Sequence, residues 1–195
     1  MESFKAAKKK FKTAFTDILK DTNNLIIDEA ALPAYAHKNP FIDYLFWKRL
    51  EVAFKFAKKN SYYKKVLDFG CGSGVLSYVL AQNGYEVTGC DLEMSPLRLV
   101  QKKIDFPSTI NFIEGDISTQ NLPAHSFDII FALYVLEHID NTGDYIQLFK
   151  KLLTPHGVVV VSGPTENILY KLGRKFAGQR FTGDYHVKDI SAIKQ

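Results

Sequence analysis

The first sixty residues place apolar side chains at helical spacing. Phe4, Ala7, Phe11, Phe15, Ile18 and Leu19 form one apolar stripe, flanked by Lys5, Lys8, Lys9, Lys10 and Lys12, the pattern of an amphipathic helix. A second helix is expected from about Phe41 to Lys59. The approach to it and its first turns are rich in aromatics: Tyr35, His37, Asn39, Phe41, Tyr44, Phe46 and Trp47. Near Asn60-Ser61 the pattern changes. Val66-Leu67-Asp68-Phe69 reads as a buried strand, and Val75, Leu76, Val79 and Leu80 then recur at helical spacing. Further strands are expected over Tyr85–Asp91, over Asn111–Ile117, from Phe127 onward and over Val158–Val161. Strands that alternate with helices predict an α/β fold, with a helical cap over residues 1–60 and a β/α core over residues 61–195.

Between the first strand and its helix the chain reads Gly70-Cys71-Gly72-Ser73-Gly74. A glycine tolerates positive φ and lets a ligand approach the backbone closely. A strand, a glycine turn and a helix N-terminus together make a nucleotide-cofactor site. The G-x-G-x-x-G spacing of dinucleotide folds is missed, because position 75 is Val. Asp91 ends the second strand at about the 20-residue offset where an acid meets ribose hydroxyls, and a carboxylate suits a vicinal diol because it accepts two hydrogen bonds. NAD enzymes share that feature.

The run Asp68-Phe69-Gly70-Cys71-Gly72-Ser73-Gly74 resembles motif I of the class I S-adenosylmethionine (SAM) dependent methyltransferases. The resemblance covers roughly residues 62 to 165. It implies a Rossmann-like, doubly wound, mostly parallel sheet with SAM as cofactor. It implies that Gly70, Cys71, Gly72 and Gly74 cradle the amino-acid half of SAM while Asp68 orients its ammonium. Asp91, with Leu92 beside it, would hold the ribose; Asp116 would meet the adenine amine, and Ile117 would flank the ring. Val135-Leu136-Glu137-His138-Ile139 is similar to the fourth-strand motif of the ubiquinone-pathway O-methyltransferases. A fifth element, Leu152-Leu153-Thr154-Pro155-His156-Gly157, has His156 where the family usually has glycine. After Val161 only 34 residues remain, and residues 188–195 read as the start of a helix. The last two strands of the family core are therefore expected to be missing, which would expose the edge of the fifth strand.

Composition narrows the partners. The 195 residues are 46% hydrophobic and 24% charged, an ordinary globular balance. No apolar run approaches the ~20 residues that span a bilayer, and no secretory h-region follows the N-terminal lysines. Cys71 and Cys90 form no C-x-x-C pair, so they read as reduced thiols of a cytoplasmic protein. A net charge of +4 without a recognition motif argues against nucleic acid. The basic helix over residues 4–19 fits two readings. It can lie on an anionic membrane, or it can pack on the core with solvated lysines outward.

The acceptor chemistry rests on fewer residues. Methyl transfer from a sulfonium is an in-line displacement, which positioning alone accelerates greatly. A hydroxyl acceptor must also lose its proton, and a histidine suits that task. His138 is the candidate base, with Glu137 fixing its tautomer or binding substrate; the alternative is that both only cap and pack the next helix. Tyr35, His37 and Tyr134 are candidate substrate contacts. Related methyltransferases bind a divalent metal through E-x-x-E-H, but Tyr134 replaces the first acid here, so no metal is expected. Asn39-Pro40-Phe41 lies far from the fourth strand, where an N-P-P-[YF] motif belongs, so base-amine methylation is disfavoured. Tyr170, Lys171, Arg174, Lys175, Arg180, Tyr185 and His186 suggest an acceptor with carboxylate or phosphate. The expected activity is methyl transfer from SAM to a small-molecule or lipid-like acceptor, at oxygen. The alternatives are a non-catalytic SAM-binding or interaction protein, and an NAD-dependent enzyme.

Overall fold

The computed structural model describes residues 1–21, 32–36 and 39–163. His37, the basic stretch from Tyr170 to His186, and the expectation about a sixth and seventh strand all lie outside the described residues. Helix α1 (Phe4–Asp21), the short α2 (Leu32–Tyr35) and α3 (Pro40–Lys59) precede the core. The core then runs β1 (Lys65–Phe69), α4 (Val75–Ala81), β2 (Glu86–Asp91), α5 (Ser95–Gln101), β3 (Ile110–Glu114), β4 (Phe127–Leu133), α6 (Thr142–Leu152) and β5 (Leu153–Ser162). Two short 3₁₀ turns, Ile117–Thr119 and Leu136–His138, follow β3 and β4.

The five strands form one sheet in the order β3-β2-β1-β4-β5. Every pairing in it is parallel. The chain steps outward from β1 to β3, then crosses back to place β4 on the other side of β1. In such a sheet the crevice beyond the carboxyl ends of β1 and β4 is where ligands bind. The β4–β5 ladder breaks once: Phe127 pairs with Leu153 but Ile129 already pairs with Val158. The Pro155-His156-Gly157 turn occupies the break, so the departure at His156 is absorbed at the strand's amino end.

Alternating strand residues feed two cores. Val66, Val87, Ile129 and Phe131 face a cluster shared with α1, α3 and α4. Leu67, Phe69, Cys90, Ile130 and Ala132 face a second cluster with Ile117 and with Phe149 and Leu152 of α6. The first cluster runs unbroken across residues 60–61, from Phe11 and Phe15 of α1 to the sheet. Phe11 lies edge-on to Tyr78 and Phe106, with ring centroids 5.2 and 5.9 Å away.

Helix α3 starts cleanly because the Asn39 side chain accepts the Phe41 N–H, Pro40 opens the first turn and Lys58 and Lys59 close the last. Asp43 in its first turn binds Lys8 at 2.7 Å and Lys12 at 2.6 Å, and these bonds hold the carboxyl below its ordinary range against the opposing effect of burial. Lys10 donates to the Tyr78 hydroxyl at 2.6 Å. The apolar stripe of α1 is thus turned into the protein, with Ala7, Phe11, Ala14, Phe15 and Ile18 buried. The apolar face of this helix is covered by the protein, and Lys8, Lys10 and Lys12 bond to Asp43 and Tyr78.

Because α1 shares the core, Phe11→Ala is expected to destabilise the protein by about 3–5 kcal/mol, the scale for a large aromatic cavity. Urea unfolding followed by fluorescence and far-UV circular dichroism should show one shared transition that moves as a whole. Two separated transitions would mean that residues 1–60 fold apart from the core.

Candidate cofactor and acceptor site

The glycine turn leaves β1 and enters α4 with Gly70, Gly72 and Gly74 all at positive φ (73°, 53° and 76°). It is pinned to the neighbouring strand end. Gly70 and Cys71 donate their N–H groups to the Cys90 carbonyl at 2.9 and 3.0 Å, and Gly72 N–H donates to Asp91 Oδ2 at 2.7 Å. The Asp91 carbonyl in turn accepts from Gly115 N–H at 2.8 Å. Asp91 therefore sits at the junction of three strand ends. Burial raises its carboxyl above the ordinary range, with backbone N–H groups from Gly72, Glu93 and Leu92 acting in the opposite direction.

Two of the glycines are required for different reasons. A Cβ at Gly70 would stand 2.6 Å from Val135 Cγ2, so β4 closes directly against the turn there. A Cβ at Gly72 would meet nothing within 4 Å. The space over Gly72 is open, beside the Asp91 carboxylate and at the crevice of the sheet.

Asp68 lies beneath the turn rather than on its surface. It is buried, and its Oδ2 accepts the Ser77 hydroxyl at 2.6 Å. Burial lifts its carboxyl from 3.8 to about 6, opposed by the Ser77 bonds. Cys71 and Cys90 are both buried free thiols, and burial pushes both well above the ordinary thiol range. Asp116 caps the 3₁₀ turn after β3: its Oδ1 accepts from Ser118 N–H at 2.8 Å and from the Tyr145 hydroxyl at 2.9 Å. The Ser118 bonds, with help from Tyr145, hold its carboxyl below the ordinary range. Leu92 is 72% exposed while Ile117 is only 2% exposed. Ile117 packs in the second core cluster, so of these two apolar neighbours Leu92 is the one that offers a surface to a ring.

The acceptor candidates fall into two groups. Tyr35 and Tyr134, distant in sequence, meet across the Arg49 guanidinium, which lies 5.4 and 4.4 Å from their ring centroids. Tyr35 is buried, its hydroxyl accepts from Arg49 Nη2 at 2.7 Å, and its carbonyl accepts the Trp47 indole N–H at 3.0 Å. Tyr134 adopts positive φ (57°) straight after β4, and its N–H donates to the Ser162 carbonyl at 2.7 Å. Glu137 and His138 share the following turn but point to different environments: Glu137 is fully buried and His138 is exposed. Burial raises the Glu137 carboxyl, with the charges of His138 and Arg49 opposing it.

Sequence reasoning missed four residues that shape this site. Ser77 could have been found as a polar residue in the apolar run Val75-Leu76-Ser77-Tyr78-Val79. Val135 was visible only as the start of a motif, not as the residue that closes on Gly70, and Tyr145 and Arg49 carried no signal, because a tyrosine and an arginine on amphipathic helices read as core or solvent face until their neighbours are known.

The buried Asp68 makes stability depend on pH. Its folded pKa lies above the unfolded value, so the folded protein binds this proton more tightly, and the stabilisation is complete at acid pH and lost as pH rises through about 6. Asp68→Asn keeps an acceptor for Ser77 and removes the ionisation. Between pH 4 and 7 the variant's unfolding free energy is expected to gain about 2.4 kcal/mol on the wild type, most of the linkage equivalent of the shift. A gap that stays constant across this range in urea titrations would show that Asp68 does not titrate in the fold.

With the geometry in place, comparisons with known proteins become informative. A family model described as a methyltransferase domain matches residues 67–161. Over 105 residues the chain is 38% identical to the ubiquinone biosynthesis O-methyltransferase of Haemophilus ducreyi, which covers 51% of this chain and 44% of that protein. The chain thus spans less than half the length of this relative. Two solved structures share the fold. A protein from Pyrococcus horikoshii OT3 matches with a TM-score of 0.54 at 24% identity, over 66% of this chain and 61% of its own. A SAM-dependent methyltransferase from Archaeoglobus fulgidus matches with a TM-score of 0.55 at 20% identity, over 77% of this chain and 70% of its own. The matched segment runs from within β1 to within β5 and takes in the glycine turn and the Glu137-His138 turn, so this part of the chain is similar to a methyltransferase domain.

Proposed function

We propose that the chain moves a methyl group from SAM to an oxygen of a small-molecule or lipid-like acceptor. The observation that carries this reading is the open space over Gly72, walled by Asp91 at the crevice between β1 and β4. The Gly70–Gly74 turn would hold the amino-acid portion of the cofactor, with Asp68 supplying negative charge from below. The Asp91 oxygens would take the ribose diol, and Leu92 and Asp116 would bracket the adenine. Oxygen as the accepting atom is supported by the name of the Haemophilus ducreyi relative, a ubiquinone biosynthesis O-methyltransferase. We place the reaction in the cytoplasm, a reducing compartment that suits two free thiols. Among the described residues no helix is long and apolar enough to cross a membrane.

When bound, SAM supplies a methyl group on a sulfonium, a good leaving group for in-line displacement. This chain's residues then have two tasks. The first is to hold the acceptor oxygen in line beyond the Gly70–Val135 contact, with the helical layer over residues 1–60 as cap and Tyr35 and Tyr134 as walls. The second is to take the hydroxyl proton as the carbon–oxygen bond forms. His138, exposed on the turn after β4, is assigned that proton, and Glu137 behind it is assigned to fix the turn.

Calorimetry with SAM tests the cofactor half. Gly72→Val is expected to abolish binding, since its side chain would fill the cradle and resist positive φ. Asp91→Ala should weaken binding by about 2–3 kcal/mol, the scale for lost hydrogen bonds to a charged group. It should also loosen the turn, because Gly72 N–H loses its acceptor. Wild-type affinity in both variants would remove the cofactor assignment.

The catalytic half is tested with His138→Ala, which should keep SAM affinity and lower turnover by roughly 10²- to 10⁴-fold, the range for a positioned general base. Production of S-adenosylhomocysteine from labelled SAM in an acceptor screen gives the readout. Normal turnover would leave positioning as the whole of catalysis, and lost SAM binding would move His138 to the cofactor site.

A further inference from the structure

Arg49 stands out among charged groups with no part in the cofactor site. It projects from the middle of α3 to the carboxyl end of β4. Its guanidinium carbon lies 4.4 Å from the Tyr134 ring centroid, 4.7 Å from Phe46 and 5.4 Å from Tyr35. Nη2 donates to the Tyr35 hydroxyl at 2.7 Å. Nε is buried and has no acceptor among the described residues. Val135, the neighbour of Tyr134, is the residue that closes on Gly70. The arginine therefore sits beside the methyl-donor turn, on the side where an acceptor has to enter.

A buried N–H of a charged group without an acceptor is costly, and away from water its bond to an oxygen is strong. Nε and Nη2 lie on one edge of the planar guanidinium, the edge that matches carboxylate and phosphate oxygens. Tyr35 completes the arrangement. Its hydroxyl oxygen accepts from Nη2, so its own hydrogen remains to be given to a second oxygen. The Tyr134 and Phe46 rings supply flat apolar walls against which a planar body can stack. The buried Glu137 carboxyl also feels the Arg49 charge, so an incoming anion would share the guanidinium with it.

We propose that Arg49 is a specificity-determining residue that binds an anionic oxygen, carboxylate or phosphate, on a planar methyl acceptor. Arg49 Nε–H and the Tyr35 O–H donate to that oxygen, and Tyr134 and Phe46 flank the body that carries it. The proposal rests on the methyltransferase reading above and names the acceptor's handle, not its reacting atom.

The test uses the full chain saturated with S-adenosylhomocysteine and three probes: benzoate, phenyl phosphate and the neutral benzyl alcohol. Calorimetry or ligand-detected NMR should show one or both anionic probes binding at least about tenfold more tightly than the alcohol, the scale of one charge-assisted bond. Arg49→Met should erase that preference while S-adenosylhomocysteine affinity is kept, and Arg49→Lys should restore part of it. Tyr35→Phe, which keeps the ring, should weaken the anionic probes several-fold and serves if Arg49→Met does not fold. Equal binding of anionic and neutral probes to the wild type would overturn the proposal. So would full anion binding in Arg49→Met or in Tyr35→Phe. If S-adenosylhomocysteine itself fails to bind the wild type, the methyltransferase reading falls; the probes are then compared between wild type and Arg49→Met without it, and the same two outcomes decide the role of Arg49.

Discussion

The hydrogen bond from Gly72 N–H to Asp91 Oδ2, 2.7 Å long, joins the parts on which the site depends. It fixes the glycine turn to the end of β2, and the Cys90 carbonyl doubles the attachment through Gly70 and Cys71. A turn of glycines at positive φ is conformationally loose by itself. Anchored at both strand ends, it becomes a rigid cradle whose open side faces the crevice. The carboxylate that anchors it also borders that opening, so the proposed cofactor site and the turn geometry depend on one side chain.

Beneath the turn the fold accepts a cost. Asp68 is a carboxylate in a buried position with the Ser77 hydroxyl as its partner, and its raised pKa records the desolvation. Acids with perturbed pKa values cluster at functional sites. Here the position directly under the glycine turn is where a cationic ligand group would repay that cost. Glu137, on the turn that follows β4, is raised for the same reason.

The helical layer does more than cover the sheet. Asp43 gathers Lys8 and Lys12, and Lys10 reaches Tyr78 of α4, so the lysines that look like a solvent face on paper lock α1 to α3 and to the core. Ion pairs with part of their surface in water contribute little individually. Their effect here is to choose the seat of a helix whose aromatic face supplies the main driving force, through Phe11, Phe15 and Trp47. That seat brings α3 across the crevice and carries Arg49 to Tyr134.

Local chemistry made much of this legible in the chain alone. The period of apolar residues located α1, α3, β1 and β2 to within a residue or two, because burial on one face must repeat with the geometry of the element, while β3 ends three residues earlier and β5 begins five residues earlier than expected. The glycine turn was legible because positive φ restricts residue choice. The strand-end acids Asp91 and Asp116 were visible as positions. What each charged group touches was not: Asp116 is held by Tyr145, 29 residues away, and Lys10 by Tyr78, 68 residues away. No periodicity encodes such pairs. Where the apolar face of residues 4–19 packs, whether Ile117 or Leu92 is left exposed, and that Arg49 joins Tyr35 to Tyr134 were decided only by packing. The sequence by itself determined the elements, their order and the place of the turn, since those follow from the backbone and its nearest neighbours. The tertiary structure decided charge partners, burial and the shape of the acceptor side, since those depend on which distant surfaces exclude water together.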